Sequence, residues 1–184
     1  SLKTRVLELN VGKTKELILG KLKGLEYATP VAIDQKKVEI VHDFKYLGTH
    51  VDGKLSFDSH ADSVYKKSQQ RLFLLRKLKS FDVSQPVLEL VYRSLIESVL
   101  SFNIITWFNF LTVKQRTKLG RVVNIASKII GQKQQQLPSL YRTAVSRKSY
   151  QIVNDRTHPL HSSFQKLPSG RRFRVPLARK NILK

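Results

Sequence analysis

The sequence has no cysteine and no methionine. The lack of cysteine excludes a disulfide framework, a thiol nucleophile and a cysteine-ligated zinc site. The sequence also lacks an uninterrupted apolar run of about 18 residues, so we expect no spanning helix and no membrane partner. The chain begins with Ser1 and has no signal-peptide pattern. We therefore expect a fragment of a longer nuclear or cytoplasmic protein that is not secreted.

Acidic residues are scarce in the second half of the chain. Residues 98–184 carry 17 Lys and Arg and only one acid, Asp155, a net charge of +16. Residues 1–97 carry 17 basic and 12 acidic residues, a net charge of +5. Such an excess repels itself unless a polyanion neutralises it, and nucleic acid is the commonest polyanion. The composition therefore favours RNA, DNA or an RNA–DNA hybrid as the partner.

The hydropathy pattern changes near residue 58. Before it, short strands are predicted at 14–20, 30–34, 38–41 and 46–51, the last closed by an Asp-Gly turn. After it, helical periodicity predicts helices at 59–79, from Ser84 onward, at 112–131 and at 139–153. The buried stripe expected for the second helix consists of Leu88, Val91, Leu95, Val99 and Phe102.

An apolar fraction of 41% is sufficient for a real core. The predicted fold class is α+β, with small antiparallel β hairpins at the N-terminus, a three- to four-helix bundle and an irregular basic tail. The predicted domains are 1–57, a helical bundle at 58–133, and a short helix with a basic tail at 134–184.

Two short signatures lie near the N-terminus. The first is Leu-Asn-Val-Gly-Lys-Thr-Lys at 9–15, and the second is Phe-Lys-Tyr-Leu-Gly-Thr at 44–49. Their order and spacing resemble the last two sequence blocks of the reverse transcriptase domain of non-LTR (LINE-type) retrotransposons. The helices at 65–78, 92–107 and 121–131 resemble the thumb of that family, and His-Pro-Leu-His at 158–161 resembles the end of fish-type elements. The resemblance covers essentially the whole chain.

The resemblance implies roles for two groups of residues. Residues near the nucleotide and the leaving pyrophosphate would be Asn10, Lys13 and Thr14. Residues of a primer-grip hairpin would be Phe44, Tyr46, Leu47 and Gly48. The residues alone leave two alternatives open: Lys13 as a solvated charge at a strand start, and Tyr46 with Leu47 in the core.

A polymerase also needs two metal ions held by paired carboxylates. No Asp-Asp pair occurs in the sequence, and its aspartates are scattered at turns and caps. We therefore expect no catalytic residue, no metal site, no cofactor and no enzymatic activity in this fragment, although the parent would use Mg²⁺. The expected partners are nucleic acid and the rest of the parent polymerase. The alternative is a domesticated or remnant basic module without an enzymatic role.

The charge distribution also predicts which side chains contact nucleic acid. These are Lys66, Lys67, Arg71, Lys118, Lys128, Arg171, Arg172 and Arg174.

The stretch 65–81 also resembles the N-terminal segment of the AlkB-homologue oxygenases that modify tRNA wobble positions. His60 and Asp62 have the spacing of an iron(II) facial triad, with His158 or His161 as a nominal third ligand. Such a site needs a double-stranded β-helix pocket, whereas helices are predicted between these residues. This remote alternative therefore implies a fragment of a tRNA-modification protein rather than an oxygenase.

Overall fold

The computed structural model describes residues 9–20 and 29–175. The chain divides into two compact units, the first ending at Leu137 and the second beginning at Pro138. The fold is α+β, with short strands at the N-terminal end and helices after them, as predicted. The predicted domain boundaries stay predictions, and the part of the tail beyond Val175 lies outside the described residues.

Short strands occupy the N-terminal part of the first unit. They are β1 (Lys15–Leu17), β2 (Ala32–Ile33), β3 (Lys36–Lys37), β4 (Glu39–Val41), β5 (Asp43–Tyr46) and β6 (Thr49–Asp52). In the described ranges they form three two-stranded sheets, β1–β4, β2–β3 and β5–β6.

Two strand predictions need correction. The β1–β4 pair is parallel, with Lys15 opposite Glu39, and is not part of a hairpin. A parallel pair needs a long crossover, and the intervening segment supplies it together with the β2–β3 hairpin. The strand expected at 46–51 is wrong, since the chain reverses within it at Leu47 and Gly48. Both of these residues have positive φ, 44° and 86°, which is typical of a two-residue hairpin turn.

Helix α1 (Asp58–Ser80) confirms the first helix prediction. The side chains of Val64, Leu72 and Leu75 lie on its buried face at helical spacing. The Asp52 carboxylate accepts backbone hydrogen bonds from Lys54, Ser56 and Phe57, and it thereby fixes the entry into this helix. Asp52 is thus a turn residue, as the sequence indicates.

The second helix is interrupted by a π-helical turn. Helix α2 (Gln85–Val91) continues through that turn (Tyr92–Glu97) into α3 (Ser98–Ser101). A π turn inserts one residue and rotates everything after it. The fully buried residues are therefore Leu88, Tyr92, Ile96 and Leu100, spaced by four.

The predicted stripe is therefore only partly correct: Leu88 is buried, whereas Val91, Leu95 and Val99 are half-buried. Phe102, assigned to the core, is 48% exposed. Ser84 precedes α2, but its side chain forms no capping hydrogen bond.

The chain then turns sharply at Asn103, which adopts a left-handed conformation. Helix α4 (Ile104–Trp107) and a 3₁₀ turn (Phe108–Phe110) follow. Trp107 is completely buried, and its indole N–H donates to the Phe102 carbonyl at 2.9 Å. The corner at 102–103 is therefore anchored from the core side.

Helix α5 (Val113–Ile130) begins and ends where the sequence predicts. Thr112 and Gln115 form a capping box, and Gly131 has the left-handed conformation that ends the helix. Leu119, Val122 and Ala126 are buried on its core face, and α5 packs against α1.

The second unit contains most of helix α6 (Leu137–Asn154), a 3₁₀ turn (His161–Ser163) and an irregular tail. Ile152 is buried, and its carbonyl lies 3.0 Å from Nδ1 of His161. In the tail, Lys166 pairs with Phe173 in an isolated antiparallel bridge, and the rings of Phe164 and Phe173 meet edge to face.

Candidate nucleic-acid interface

The β5–β6 hairpin presents its tip to solvent. Tyr46 is 62% exposed and Leu47 is 73% exposed, so the alternative that placed both in the core is wrong. Phe44 is also exposed, and Gly48 forms the turn. The residues predicted for a primer grip therefore form one accessible tip with two aromatic rings, which suits stacking on sugars or bases.

The base of this tip is fixed against the helical bundle. The hydroxyl of the buried Thr49 accepts a hydrogen bond from Asn103 at 3.3 Å. A Cβ atom on Gly48 would lie 3.0 Å from Cε1 of Phe102. Gly48 therefore serves both the turn conformation and the close approach to the corner at 102–103.

The first signature forms a tight 3₁₀ turn at Val11–Lys13. The Asn10 side chain accepts from the Lys13 backbone N–H at 3.1 Å, and the Thr14 hydroxyl donates to the Asn10 carbonyl at 3.0 Å. Lys13 is exposed and has no ion pair within the described part of the chain. These contacts explain the Asn and Thr of the signature as turn residues, and they leave the Lys13 ammonium available to an anion.

The basic side chains predicted to bind nucleic acid differ in their availability. Lys66 and Lys67 on α1 and Lys128 on α5 are exposed and make no ion pair with any described residue. Lys118 instead pairs with Asp62 at 2.8 Å, and its Nζ lies 4.3 Å from the centroid of the Tyr65 ring. The Arg71 guanidinium donates to the Leu95 carbonyl within the π turn. Lys118 is thus the least available of the helix residues.

The three tail arginines lie together in the second unit. The Leu167 N–H donates to the Arg172 carbonyl at 2.8 Å, and the Arg174 N–H donates to the Gln165 carbonyl at 2.6 Å. The backbone between these bonds is a compact loop, and the side chains of Arg171, Arg172 and Arg174 are exposed. The loop therefore groups three positive charges outside the core.

A cavity of about 380 Å³ lies between the β5–β6 hairpin and the helices α1 to α3. Its basic lining residues are Lys45, Lys67 and Arg71. Ser63, Ser94, Ser98 and Phe102 also line it, and none of its lining residues is acidic. We call this space the basic cavity.

His60 is a buried titratable group in the wall of the basic cavity. Its Nδ1 accepts from the His50 backbone N–H at 3.3 Å, and its ring meets Trp107 edge to face at 5.1 Å. Burial lowers the pKa of His60 to about 4, with further lowering by the charges of His50 and Lys67. The imidazole is therefore neutral at pH 7, with the proton assigned to Nε2 because Nδ1 is an acceptor.

This lowered pKa predicts a loss of stability in mild acid. The unfolded chain binds a proton on His60 below about pH 6.5, whereas the folded chain resists it until about pH 4. The contribution of neutral His60 to the free energy of unfolding is therefore complete above about pH 6.5 and decreases as the pH falls towards 4. We expect the free energy of unfolding to be about 2 kcal/mol lower at pH 4.5 than at pH 7 from this group.

The measurement is urea unfolding at both pH values for the native chain and for His60→Asn, whose side-chain oxygen replaces Nδ1 as an acceptor. The variant is expected to lose most of this pH-dependent difference. An equal acid sensitivity in both proteins would refute the assignment to His60.

Sequence reasoning missed Lys45, Ser98 and Phe102 as site residues. Lys45 and Phe102 lie far apart in the sequence and line one cavity only because the hairpin packs on the corner at 102–103. The π turn decides which helix residues line the basic cavity, and no periodicity in the sequence marked it. The available signal was Gly48, whose place between two β-prone segments is typical of a turn.

The described ranges contain no group of three or more His, Cys, Asp or Glu residues arranged to hold a metal ion. Of the nominal iron ligands, His60 is buried and Asp62 is paired with Lys118. His158 and His161 lie in the turns after α6. No helix in the described part is long and apolar enough to cross a membrane.

Residues 57–98 match the family described as Alkylated DNA repair protein alkB homolog 8, N-terminal. The matched segment spans α1, α2 and the π turn, which is less than a quarter of the chain. No curated protein and no solved structure matches the chain. The match includes the stretch 65–81, for which the sequence indicated a similarity to the AlkB homologues, and it extends from Phe57 to Ser98.

Proposed function

We propose that the chain is a nucleic-acid-binding module that contacts the phosphate backbone. Of the Lys and Arg residues in 98–175, only Lys118 forms an ion pair with a described residue. A charge excess of this size that is not neutralised internally is the observation that carries the proposal. Phosphate contacts supply affinity without base information, so the sequence preference is weak.

The more specific form of this proposal is a fragment of a LINE-type reverse transcriptase that holds a primer end and an RNA–DNA hybrid. Three features support it: the capped turn at 10–14, the exposed aromatic tip of the β5–β6 hairpin, and the amphipathic helices that follow. The chain alone does not polymerise, because the sequence contains no carboxylate pair for two metal ions. Mg²⁺ would be a cofactor of the parent only.

The matched family favours a second candidate function, a module of an alkylated-DNA repair protein. Its support is the match over residues 57–98, which carries a name that refers to alkylated DNA. The AlkB-type iron chemistry is not part of this candidate, since His60 and Asp62 are already engaged with protein groups. Both candidates bind nucleic acid, and they differ in the substrate preferred.

Equilibrium binding distinguishes the two candidates. Dissociation constants are measured for an RNA–DNA hybrid with a recessed primer end, for the same hybrid with blunt ends, and for a DNA duplex with and without one alkylated base. We expect the recessed hybrid to bind several-fold more tightly than the blunt one, with no effect of alkylation. Preference for the alkylated duplex would select the second candidate, and binding to none of the four would refute both.

A further inference from the structure

The charges of the basic cavity come from two separate elements. Lys45 lies on β5, and Lys67 and Arg71 lie one helical turn apart on α1. None of the three forms an ion pair with any residue of the described ranges. Cations that line one cavity without an acidic partner repel one another, and an anion in that cavity relieves the repulsion. The cavity is therefore built for a group of high negative charge.

His60 shapes the inner wall of the same cavity. His60 lines the same cavity, is 3% exposed, and its Nε2 has no hydrogen-bond partner among the described residues. Since Nδ1 accepts from His50, Nε2 is an N–H donor that lacks an acceptor. Because Nε2 is shielded from solvent, it gives the wall a polar character but makes no direct contact with a ligand.

Two serines that line the cavity can act as hydrogen-bond acceptors. Ser94 donates to the Leu90 carbonyl at 2.8 Å, and Ser98 donates to the Ser94 carbonyl at 2.5 Å. Both hydroxyl hydrogens are therefore used within the helix, and both residues line the cavity. A serine oxygen whose hydrogen is already donated can only accept a hydrogen bond. It therefore suits a sugar hydroxyl, which has a hydrogen to donate, better than a phosphate.

An aromatic wall completes the cavity. The Phe102 ring lies against Gly48 and is 48% exposed, so one part of it is free to stack on a base. The volume of about 380 Å³ is in the range of small-ligand sites. Cations and a partly exposed aromatic ring in one cavity suit the phosphate and the base of a nucleotide.

We propose that the basic cavity binds one nucleotide with a terminal phosphate monoester. This inference rests on the proposed function, and it names the part of the nucleic acid that enters this site. A terminal phosphate carries a charge of about −1.5 to −2 at neutral pH, whereas a phosphodiester carries −1. Three cations therefore favour a strand end with a phosphate, or a free mononucleotide, over an internal nucleotide.

The test compares a short oligonucleotide that carries a 5′-phosphate with the same oligonucleotide that carries a 5′-hydroxyl, and it adds a titration with AMP. The protein is the full chain at about 150 mM salt. We expect the phosphorylated end to bind about tenfold more tightly. Lys67→Gln and Lys45→Gln are expected to abolish this ratio, because each removes one cation of the cavity.

The matched control is Lys128→Gln, which removes one exposed charge from α5. It is expected to weaken both oligonucleotides equally and to leave the ratio near tenfold. A ratio that persists in Lys67→Gln and Lys45→Gln would overturn the inference. Equal binding of the two ends would also overturn it, while leaving the proposed function intact.

The AMP titration separates the two sources of the phosphate. If the oligonucleotides do not bind at all, the proposed function fails, and AMP binding that is lost in Lys67→Gln then assigns the cavity to a free nucleotide. If neither AMP nor the oligonucleotides bind, the inference fails as well.

Discussion

The affinity of the chain for duplex nucleic acid is expected to fall on the order of a thousandfold when salt rises from about 50 to about 200 mM. The expectation follows if roughly six phosphates are contacted, since each contact releases a condensed counterion. Exposed Lys and Arg without ion pairs occur on α1, on α5 and in the tail of the described part, so six contacts are available. The measurement is a series of dissociation constants over this range of salt.

The tail arginines provide the variant for this prediction. Changing Arg171, Arg172 and Arg174 together to Ala is expected to lower affinity and to flatten the salt slope by about three units at most. Thermal stability is expected to change little, because these side chains are exposed. The matched control is Arg93→Ala, since Arg93 is already paired with Glu89 at 2.6 Å.

Two outcomes would contradict parts of this interpretation. An affinity that does not depend on salt would exclude phosphate contacts as the source of binding. A salt slope that the triple change leaves unaltered would exclude only the tail, and the surface with Lys66, Lys67 and Lys128 would then carry the contacts.

The second large effect concerns the core. Trp107→Ala is expected to lower the free energy of unfolding by about 3–5 kcal/mol. The side chain is completely buried, and its ring packs against His60 and Phe108. The substitution leaves a large cavity, and it removes the donor that bonds the Phe102 carbonyl. The measurement is urea unfolding followed by circular dichroism.

The control for the core prediction is Phe73→Ala. Phe73 is 63% exposed on α1, so its truncation is expected to change stability by less than about 0.5 kcal/mol. Trp107 is the only tryptophan of the chain, and its burial predicts a blue-shifted fluorescence maximum in the folded protein. A maximum like that of tryptophan in water would contradict the packing described for this residue.

Local chemistry explains why several elements were predictable from the sequence. The capping box at Thr112 and Gln115 and the stop at Gly131 act within one helical turn, so they set the bounds of α5 without help from distant residues. The apolar periodicity of α1 is also a local pattern, because it lies within the sequence of a single helix. The apolar sequence neighbours of Trp107 likewise favour its burial.

The elements that were not predictable depend on contacts over long distances. The π turn at Tyr92–Glu97 changes which side of the helix is buried, and the four-residue spacing from Leu88 to Leu100 shows its effect only once the fold is known. The parallel pairing of β1 with β4 likewise depends on tertiary context rather than on strand propensity.

The same distinction applies to the candidate interface. Composition predicted the excess of positive charge, but the availability of each side chain depends on its neighbours in space. Lys118 is engaged by Asp62 and Tyr65, which approach it from another helix. Lys45 belongs to the second signature, but the sequence does not show that it lines the basic cavity together with Lys67 and Arg71.

The most direct test of backbone-driven binding uses two RNA–DNA hybrids of the same sequence. One has normal phosphodiester linkages, and the other has uncharged methylphosphonate linkages in its DNA strand. If phosphate charge supplies most of the affinity, the neutral linkages are expected to raise the dissociation constant at least tenfold at about 50 mM salt. Equal dissociation constants for the two hybrids would contradict the proposed function.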